Sequence, residues 1–128
     1  MVSEGITNEQ TLTVTQEMTA EALGSGKLPV FSTPRMISMI ENTALRSVEP
    51  FLEEGEGTVG TLLNIRHTAP TPVGGRIICR TTLTEVSGRR LVFKAEVFDS
   101  EGPVGDGIHE RCIINNAKFL KKAGERKL

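Results

Sequence analysis

The segment from Thr33 to Val48 constrains the fold most, because it has the spacing of a helix that packs on a core. Thr33 is predicted to be the N-cap of this helix, and Pro34 suits its first turn. Apolar residues recur at intervals of three and four, namely Met36, Ile37, Ile40, Ala44, Leu45 and Val48. The sequence therefore predicts one long helix with an apolar face.

The rest of the chain is predicted to form strands separated by turns. A first strand, rich in β-forming residues, is predicted before the helix at residues 11–16. Four more are predicted after it, at residues 58–67, 76–86, 89–99 and 104–115, with a hairpin turn at Ser87-Gly88. In the strand at residues 89–99, one face is predicted to carry Leu91, Phe93, Ala95 and Val97. One helix before an antiparallel meander is an α+β arrangement in which the sheet wraps the helix.

Length and composition bound the class of protein. The 128 residues suit one domain, with a tail that we expect to fray beyond about residue 120. Lys plus Arg number 15 and Asp plus Glu number 16, so no basic excess favours nucleic acid. The apolar runs are too short to span a membrane, and no signal peptide is recognisable. The strand at residues 58–66 offers an edge that a second copy of the chain could pair with.

The two cysteines, Cys79 and Cys112, fall in predicted strands and have no partner at metal-ligand spacing. We expect reduced, partly buried thiols in a cytoplasmic protein. The sequence leaves open whether the two pair in a disulfide. No metal or cofactor is predicted.

Glu41 is the first candidate for a chemical role. It follows Ile37 by four residues and precedes Leu45 by four, so the three share one side of the predicted helix. A carboxylate on an apolar face loses water, which costs free energy unless the group is paired or has a function. The alternative is that Glu41 flanks the apolar face and reaches solvent. Periodicity alone favours neither.

The histidines give two different interpretations. His67 ends a predicted strand, where a scaffold presents functional groups, and its ordinary pKa of about 6.5 suits acid–base chemistry. The alternative is an ordinary surface histidine. His109 stands beside Glu110 and Arg111, and this trio is interpreted as a polar or ion-paired strand segment with a structural role.

Thr33 is the third candidate, because the positive end of a helix dipole stabilises a developing oxyanion. Capping of the helix would explain the residue equally well. Eight residues separate Thr33 from Glu41, about 12 Å along a helix axis, so the two need a substrate or a third residue between them. His67 is the candidate for that residue, from the same chain or from a partner subunit.

Five runs of sequence, taken in order, resemble a single family. They are residues 23–26 (LGSG), 28–41 (LPVFSTPRMISMIE), 55–74 (GEGTVGTLLNIRHTAPTPVG), 87–99 (SGRRLVFKAEVFD) and 107–114 (GIHERCII). Across about residues 10–120 the chain resembles the small bacterial hotdog-fold thioesterases similar to fluoroacetyl-CoA thioesterase.

The resemblance implies a hotdog fold, in which a curved antiparallel sheet wraps one long central helix. It also implies a homodimer that hydrolyses acyl-CoA at two sites near the subunit interface. Thr33, Glu41 and His67 match the family's catalytic threonine, glutamate and histidine. Gly60 matches a glycine whose amide would stabilise the oxyanion, and Arg111 matches an arginine near the acyl pocket.

Residues 17–30 depart from the family pattern. In fluoroacetyl-CoA thioesterase this segment is a longer lid that contains phenylalanine, whereas here it has no aromatic residue. We therefore expect an ordinary short or medium acyl chain as substrate. Two other functions stay open: a hydratase or dehydratase of enoyl or hydroxyacyl thioesters, and a non-catalytic acyl-CoA-binding protein.

Overall fold

The computed structural model describes all residues from Met1 to Leu128. In chain order the elements are β1 (Thr7–Thr13), α1 (Ala20–Leu23), α2 (Thr33–Val48), β2 (Glu56–His67), β3 (Arg76–Ser87), β4 (Arg90–Asp99), β5 (Gly102–Asn115) and α3 (Asn116–Gly124). Single 3-10 turns precede α1 and follow α2. The long helix has the predicted ends, and the four strands after it end within two residues of the predicted positions.

The five strands form one antiparallel sheet in the order β1-β3-β4-β5-β2. The sheet is curved and α2 packs against it, which confirms the predicted α+β arrangement. Strand β2 is at one edge, as its sequence predicts, and β1 is at the other. The predicted inward face of β4 is fully buried, with Leu91, Phe93, Ala95 and Val97 in the core.

The buried face of α2 is rotated slightly from the predicted one. Its fully packed residues are Met36, Met39, Ile40, Thr43, Ala44, Ser47 and Val48. Ile37, Glu41 and Leu45 do share one side of the helix, but that side is only half-buried. Glu41 therefore flanks the core, with its side chain 39% exposed.

The N-cap of α2 is Ser32 and not Thr33, which corrects the sequence prediction. The Ser32 hydroxyl accepts a hydrogen bond from the backbone N–H of Arg35 at 3.2 Å. Thr33 is the first helical residue, followed by Pro34. The Thr33 hydroxyl is therefore not used to cap the helix.

Substitution of the two hydroxyl residues should separate their roles. We expect Ser32→Ala to lower the free energy of unfolding by about 0.5–2 kcal/mol, because a helix loses its cap. We expect the control Thr33→Ala to change it by about 0.5 kcal/mol or less, since this side chain is exposed. Urea denaturation of both variants measures the difference, and a larger loss for Thr33→Ala would contradict this assignment.

Two regions differ from the sequence prediction. Strand β1 lies at Thr7–Thr13 instead of residues 11–16, because it pairs with β3 from Thr7↔Thr82 to Thr13↔Arg76. The tail that was expected to fray beyond about residue 120 continues as helix α3 to Gly124. The side chain of Asn115 caps α3 by accepting from the N–H of Lys118 at 3.0 Å.

Both cysteines are free thiols in the structure, so the question of a disulfide is answered. Cys79 is buried in β3, and burial raises the pKa of its thiol to about 11.

None of the helices has the length and apolar character needed to cross a membrane.

Candidate active site

Thr33 and His67 meet at the N-terminus of α2. Thr33 Oγ1 and His67 Nδ1 are 2.8 Å apart, a hydrogen-bond distance. Thr33 is available for this contact because Ser32 caps the helix. His67 is the last residue of β2, and its ring packs edge-on against Phe31 with centroids 6.4 Å apart. A hydroxyl bonded to an imidazole is an arrangement that can activate a nucleophile.

The surroundings of His67 favour a neutral ring. The side chain is half-buried, and burial lowers its pKa from the ordinary value, against a smaller opposite effect of the Ala69 backbone. Its Nε2 atom is buried and has no hydrogen-bond partner. Thr33 and His67 both line an open cavity of about 300 Å³. A neutral imidazole in this position can take a proton from a reacting group.

A second cluster of predicted site residues forms around Glu41, which lies against Gly60. A Cβ atom added to Gly60 would be 2.6 Å from Glu41 Oε2, so a side chain here would displace the carboxylate. The pairing of β2 with β5 shifts by one residue directly after Gly60, where a β-bulge bends the edge strand. Glycine therefore makes the room in which the carboxylate sits.

Arg111 of β5 faces this carboxylate. Its Nη1 atom is 3.8 Å from Glu41 Oε2, an ion-pair distance without a direct hydrogen bond. Thr58 holds the guanidinium on another side, since Nε donates to Thr58 Oγ1 at 2.8 Å and Nη2 to the Thr58 carbonyl at 2.9 Å. Only 5% of Arg111 is exposed, and this burial lowers its pKa while the charge of Glu41 raises it.

The interpretation of residues 109–111 as a polar or ion-paired strand segment holds, since Glu110 and Arg111 each have an ion-pair partner and His109 is hydrogen-bonded, but the three side chains do not share one face. The Glu110 carboxylate points outward and pairs with Arg90 at 2.8 Å. His109 and Arg111 point inward, and His109 is fully buried. The alternation of a strand was the available signal, because residues 109 and 111 share a face and residue 110 does not. Sequence reasoning therefore missed His109 as a neighbour of Glu41 and Gly60.

The predicted site residues form two clusters that are separate within one chain. Thr33 and His67 make one cluster, whereas Glu41, Gly60 and Arg111 make the other. Along α2, Glu41 is two turns from Thr33, or about 12 Å. Along β2, Gly60 is seven residues from His67, or about 23 Å. The catalytic roles predicted for these residues stay predictions.

Comparisons with known proteins identify the family. A family profile described as fluoroacetyl-CoA-specific thioesterase matches residues 14–117. The fluoroacetyl-CoA thioesterase of Streptantibioticus cattleyicolor is 37% identical over 97 residues, which cover 76% of this chain and 70% of that protein.

Solved structures show the same fold. The fluoroacetyl-CoA thioesterase FlK has a TM-score of 0.93 at 30% identity, covering 100% of this chain and 99% of that chain. A variant of FlK has been solved in complex with acetyl-CoA. A Thermus thermophilus member of the thioesterase superfamily has a TM-score of 0.88 at 29% identity, covering 98% of this chain and 96% of that chain. The expected hotdog fold is confirmed, and the chain belongs to the fluoroacetyl-CoA-specific thioesterase family.

Proposed function

We propose that this protein is an acyl-CoA thioesterase, which hydrolyses the thioester to a free acid and the CoA thiol. The observation that carries the proposal is the 2.8 Å contact between the Thr33 hydroxyl and the His67 imidazole, beside an open cavity. This pair lies at a helix N-terminus, where negative charge on oxygen is stabilised. The named activity of the S. cattleyicolor relative is of the same class.

We also propose a homodimer, because within one chain the predicted site residues lie in two separate clusters and neither cluster is a complete catalytic set. Strand β2 is an edge, and antiparallel pairing with β2 of a second copy would continue the sheet. A twofold axis between Leu63 and Asn64 would bring His67 of one copy opposite Gly60 of the other, because these two residues are equally far along the strand from that axis. Leu62 and Leu63, which are 43% and 39% exposed, lie at this axis and would be covered.

In such a dimer each active site combines the two clusters. Thr33 and His67 would come from one copy, and Glu41, Gly60 and Arg111 from the other. The roughly 23 Å between Gly60 and His67 along one strand would then be no obstacle, because the reacting groups belong to different strands.

The thioester carbonyl would lie between the two clusters. The Gly60 amide and the N-terminus of α2 would stabilise the oxyanion. Either the Thr33 hydroxyl attacks, followed by hydrolysis of the acyl ester, or Glu41 acts on the carbonyl directly or through a water molecule. In each route a C–O bond forms and the C–S bond breaks. When the Thr33 hydroxyl or a water molecule attacks, His67 takes the proton of that nucleophile and passes it to the CoA thiolate. When Glu41 attacks directly, the C–S bond breaks as an acyl–Glu41 anhydride forms. Water then hydrolyses this anhydride, and His67 takes the proton of that water and passes it to the thiolate.

The proposed acyl group is short or medium in length. The segment that borders the cavity contains α1, a helix of four residues without a buried side chain. Residues 21–29 are all exposed, and residues 17–30 contain no aromatic side chain that could form a hydrophobic lid. Selection of a fluorinated acyl group therefore has no support in this segment.

We place the protein in the cytoplasm, and its two free thiols agree with a reducing compartment.

A panel of acyl-CoA esters with colorimetric detection of free thiol tests the function. The panel should contain straight acyl chains of increasing length together with fluoroacetyl-CoA. We expect thiol release, with the highest kcat/KM on an unfluorinated short or medium chain. Gain or loss of a double bond without thiol release would instead favour a hydratase or dehydratase. Binding without either product would favour a non-catalytic acyl-CoA-binding protein.

The pH dependence of hydrolysis tests the role of His67. A base must be neutral to accept a proton, and burial within its own chain lowers the pKa of His67 from the ordinary value of about 6.5. We expect kcat/KM to rise with pH through a midpoint below this value and then to level off. Steady-state kinetics in buffers from about pH 5 to 9 measures the profile. A midpoint above neutrality, or the same acidic limb in the residual activity of His67→Gln, would contradict the assignment.

A further inference from the structure

We propose that His109 is a positioning residue, which holds the Arg111 guanidinium close to Glu41 without letting the two form a direct hydrogen bond. This inference rests on the proposed thioesterase function and adds a residue that touches no reacting atom. It starts from the observation that a histidine next to the Glu41 cluster is completely buried and has a defined partner on each ring nitrogen.

The two partners of His109 define its tautomer. Nδ1 is 2.8 Å from the carbonyl oxygen of Leu62, which can only accept, so Nδ1 carries the ring hydrogen. Nε2 is 3.2 Å from Nη1 of Arg111, which can only donate, so Nε2 carries none. The ring also stacks on Phe93, with centroids 6.0 Å apart and planes 27° apart. Burial lowers the pKa of His109, which agrees with a neutral ring.

Arg111 is therefore held at all three of its nitrogens. Thr58 accepts from Nε and Nη2, and His109 accepts from Nη1. The distance of 3.8 Å between Nη1 and Glu41 Oε2 is longer than a hydrogen bond. Without an acceptor at the position of His109 Nε2, Nη1 is free to close on the carboxylate that it faces. A direct Arg111–Glu41 bond would use the oxygen that the mechanism needs for the substrate or for water.

Two substitutions separate the two hydrogen bonds of the ring. His109→Asn places an amide donor near the Nδ1 position, which keeps the bond to Leu62 and removes the acceptor for Arg111. His109→Gln places an amide oxygen near the Nε2 position, which keeps the acceptor and loses the donor to Leu62. We expect His109→Asn to lower kcat by about 10- to 100-fold, at a Tm that falls about as far as in His109→Gln, because both variants lose the buried ring that stacks on Phe93. We expect His109→Gln to keep kcat within about threefold of wild type at a lower Tm.

A purely structural role predicts that the losses of kcat follow the losses of Tm, with no larger loss of kcat for His109→Asn than for His109→Gln, and that result would overturn the proposal. The double variant His109→Asn with Arg111→Gln adds a second test. If His109 acts through Arg111, the Asn substitution causes no further loss of kcat once Arg111 is absent. Losses that multiply in the double variant would show that His109 acts by another route, and would equally overturn the proposal.

A measurement on the unmodified protein keeps this inference separate from the proposed function. ¹⁵N NMR of ring-labelled histidine reports which nitrogen of His109 carries the hydrogen, whether or not the protein turns over a thioester or a variant folds. We expect Nδ1 to be protonated and Nε2 to be free. A protonated Nε2 cannot accept from Arg111 and would overturn the positioning role. Absence of thiol release with a free Nε2 would instead remove only the proposed function.

Discussion

Replacing His67 with alanine is expected to lower kcat for acyl-CoA hydrolysis by about 10²- to 10⁴-fold. The ring is the only group found within hydrogen-bond distance of the Thr33 hydroxyl, at 2.8 Å, and it lines the same cavity. Without it, the nucleophile has no base and the leaving thiolate has no proton donor. The Tm should change little, because His67 is half-buried at a strand end and has one side-chain hydrogen bond.

The matched control for this experiment is His67→Gln. Glutamine can still form a hydrogen bond with Thr33 but cannot take up a proton near neutral pH. If the ring acts by proton transfer, both variants should be nearly inactive with the preferred acyl-CoA. If it only orients Thr33, glutamine should restore much of the rate. Wild-type kcat in His67→Ala would exclude His67 from the mechanism.

The N-terminus of α2 shows how far local sequence determines a site. The helix was predicted with its correct ends, because the three–four spacing and Pro34 are local signals. The prediction of Thr33 as the cap was wrong, because the preceding residue, Ser32, is an equally suitable cap residue and local sequence does not distinguish them. Tertiary contacts decide it: the Ser32 backbone N–H donates to the Met18 carbonyl at 3.0 Å, and the Thr33 hydroxyl meets His67. Neither partner is close in sequence.

Strand β5 shows a second limit. Alternation places His109 and Arg111 on one face and Glu110 on the other, but it does not say which face is inside. The pairing of His109 with Phe93 of β4, a fully buried residue, decides the matter. That pairing depends on strand register over the whole hairpin, and a single sequence contains no direct signal for it. The first strand was misplaced for the same reason, because its partner is β3, about 70 residues away along the chain.

The separation of the two clusters has a testable consequence for assembly. In the proposed dimer, each site takes Thr33 and His67 from one copy and Glu41 from the other. Alone, Glu41→Gln should lower kcat by about 10²- to 10³-fold, because the carboxylate beside Gly60 loses its charge while its shape is kept. The Tm should stay close to that of wild type. A dimer of one His67→Ala copy and one Glu41→Gln copy would then hold one site with both changes and one site with neither.

Mixed dimers of these two inactive variants are therefore expected to recover about half of the wild-type kcat per dimer, because one of two sites is intact. Co-expression with a different affinity tag on each copy, followed by two purification steps, isolates the mixed dimers for the thiol-release assay. Mixed dimers of His67→Ala and His67→Gln are the control and should stay inactive, since both of their sites lack the imidazole. Isolated mixed dimers of His67→Ala and Glu41→Gln without activity would mean that each site is not shared in this way, and the proposed β2–β2 pairing would be wrong.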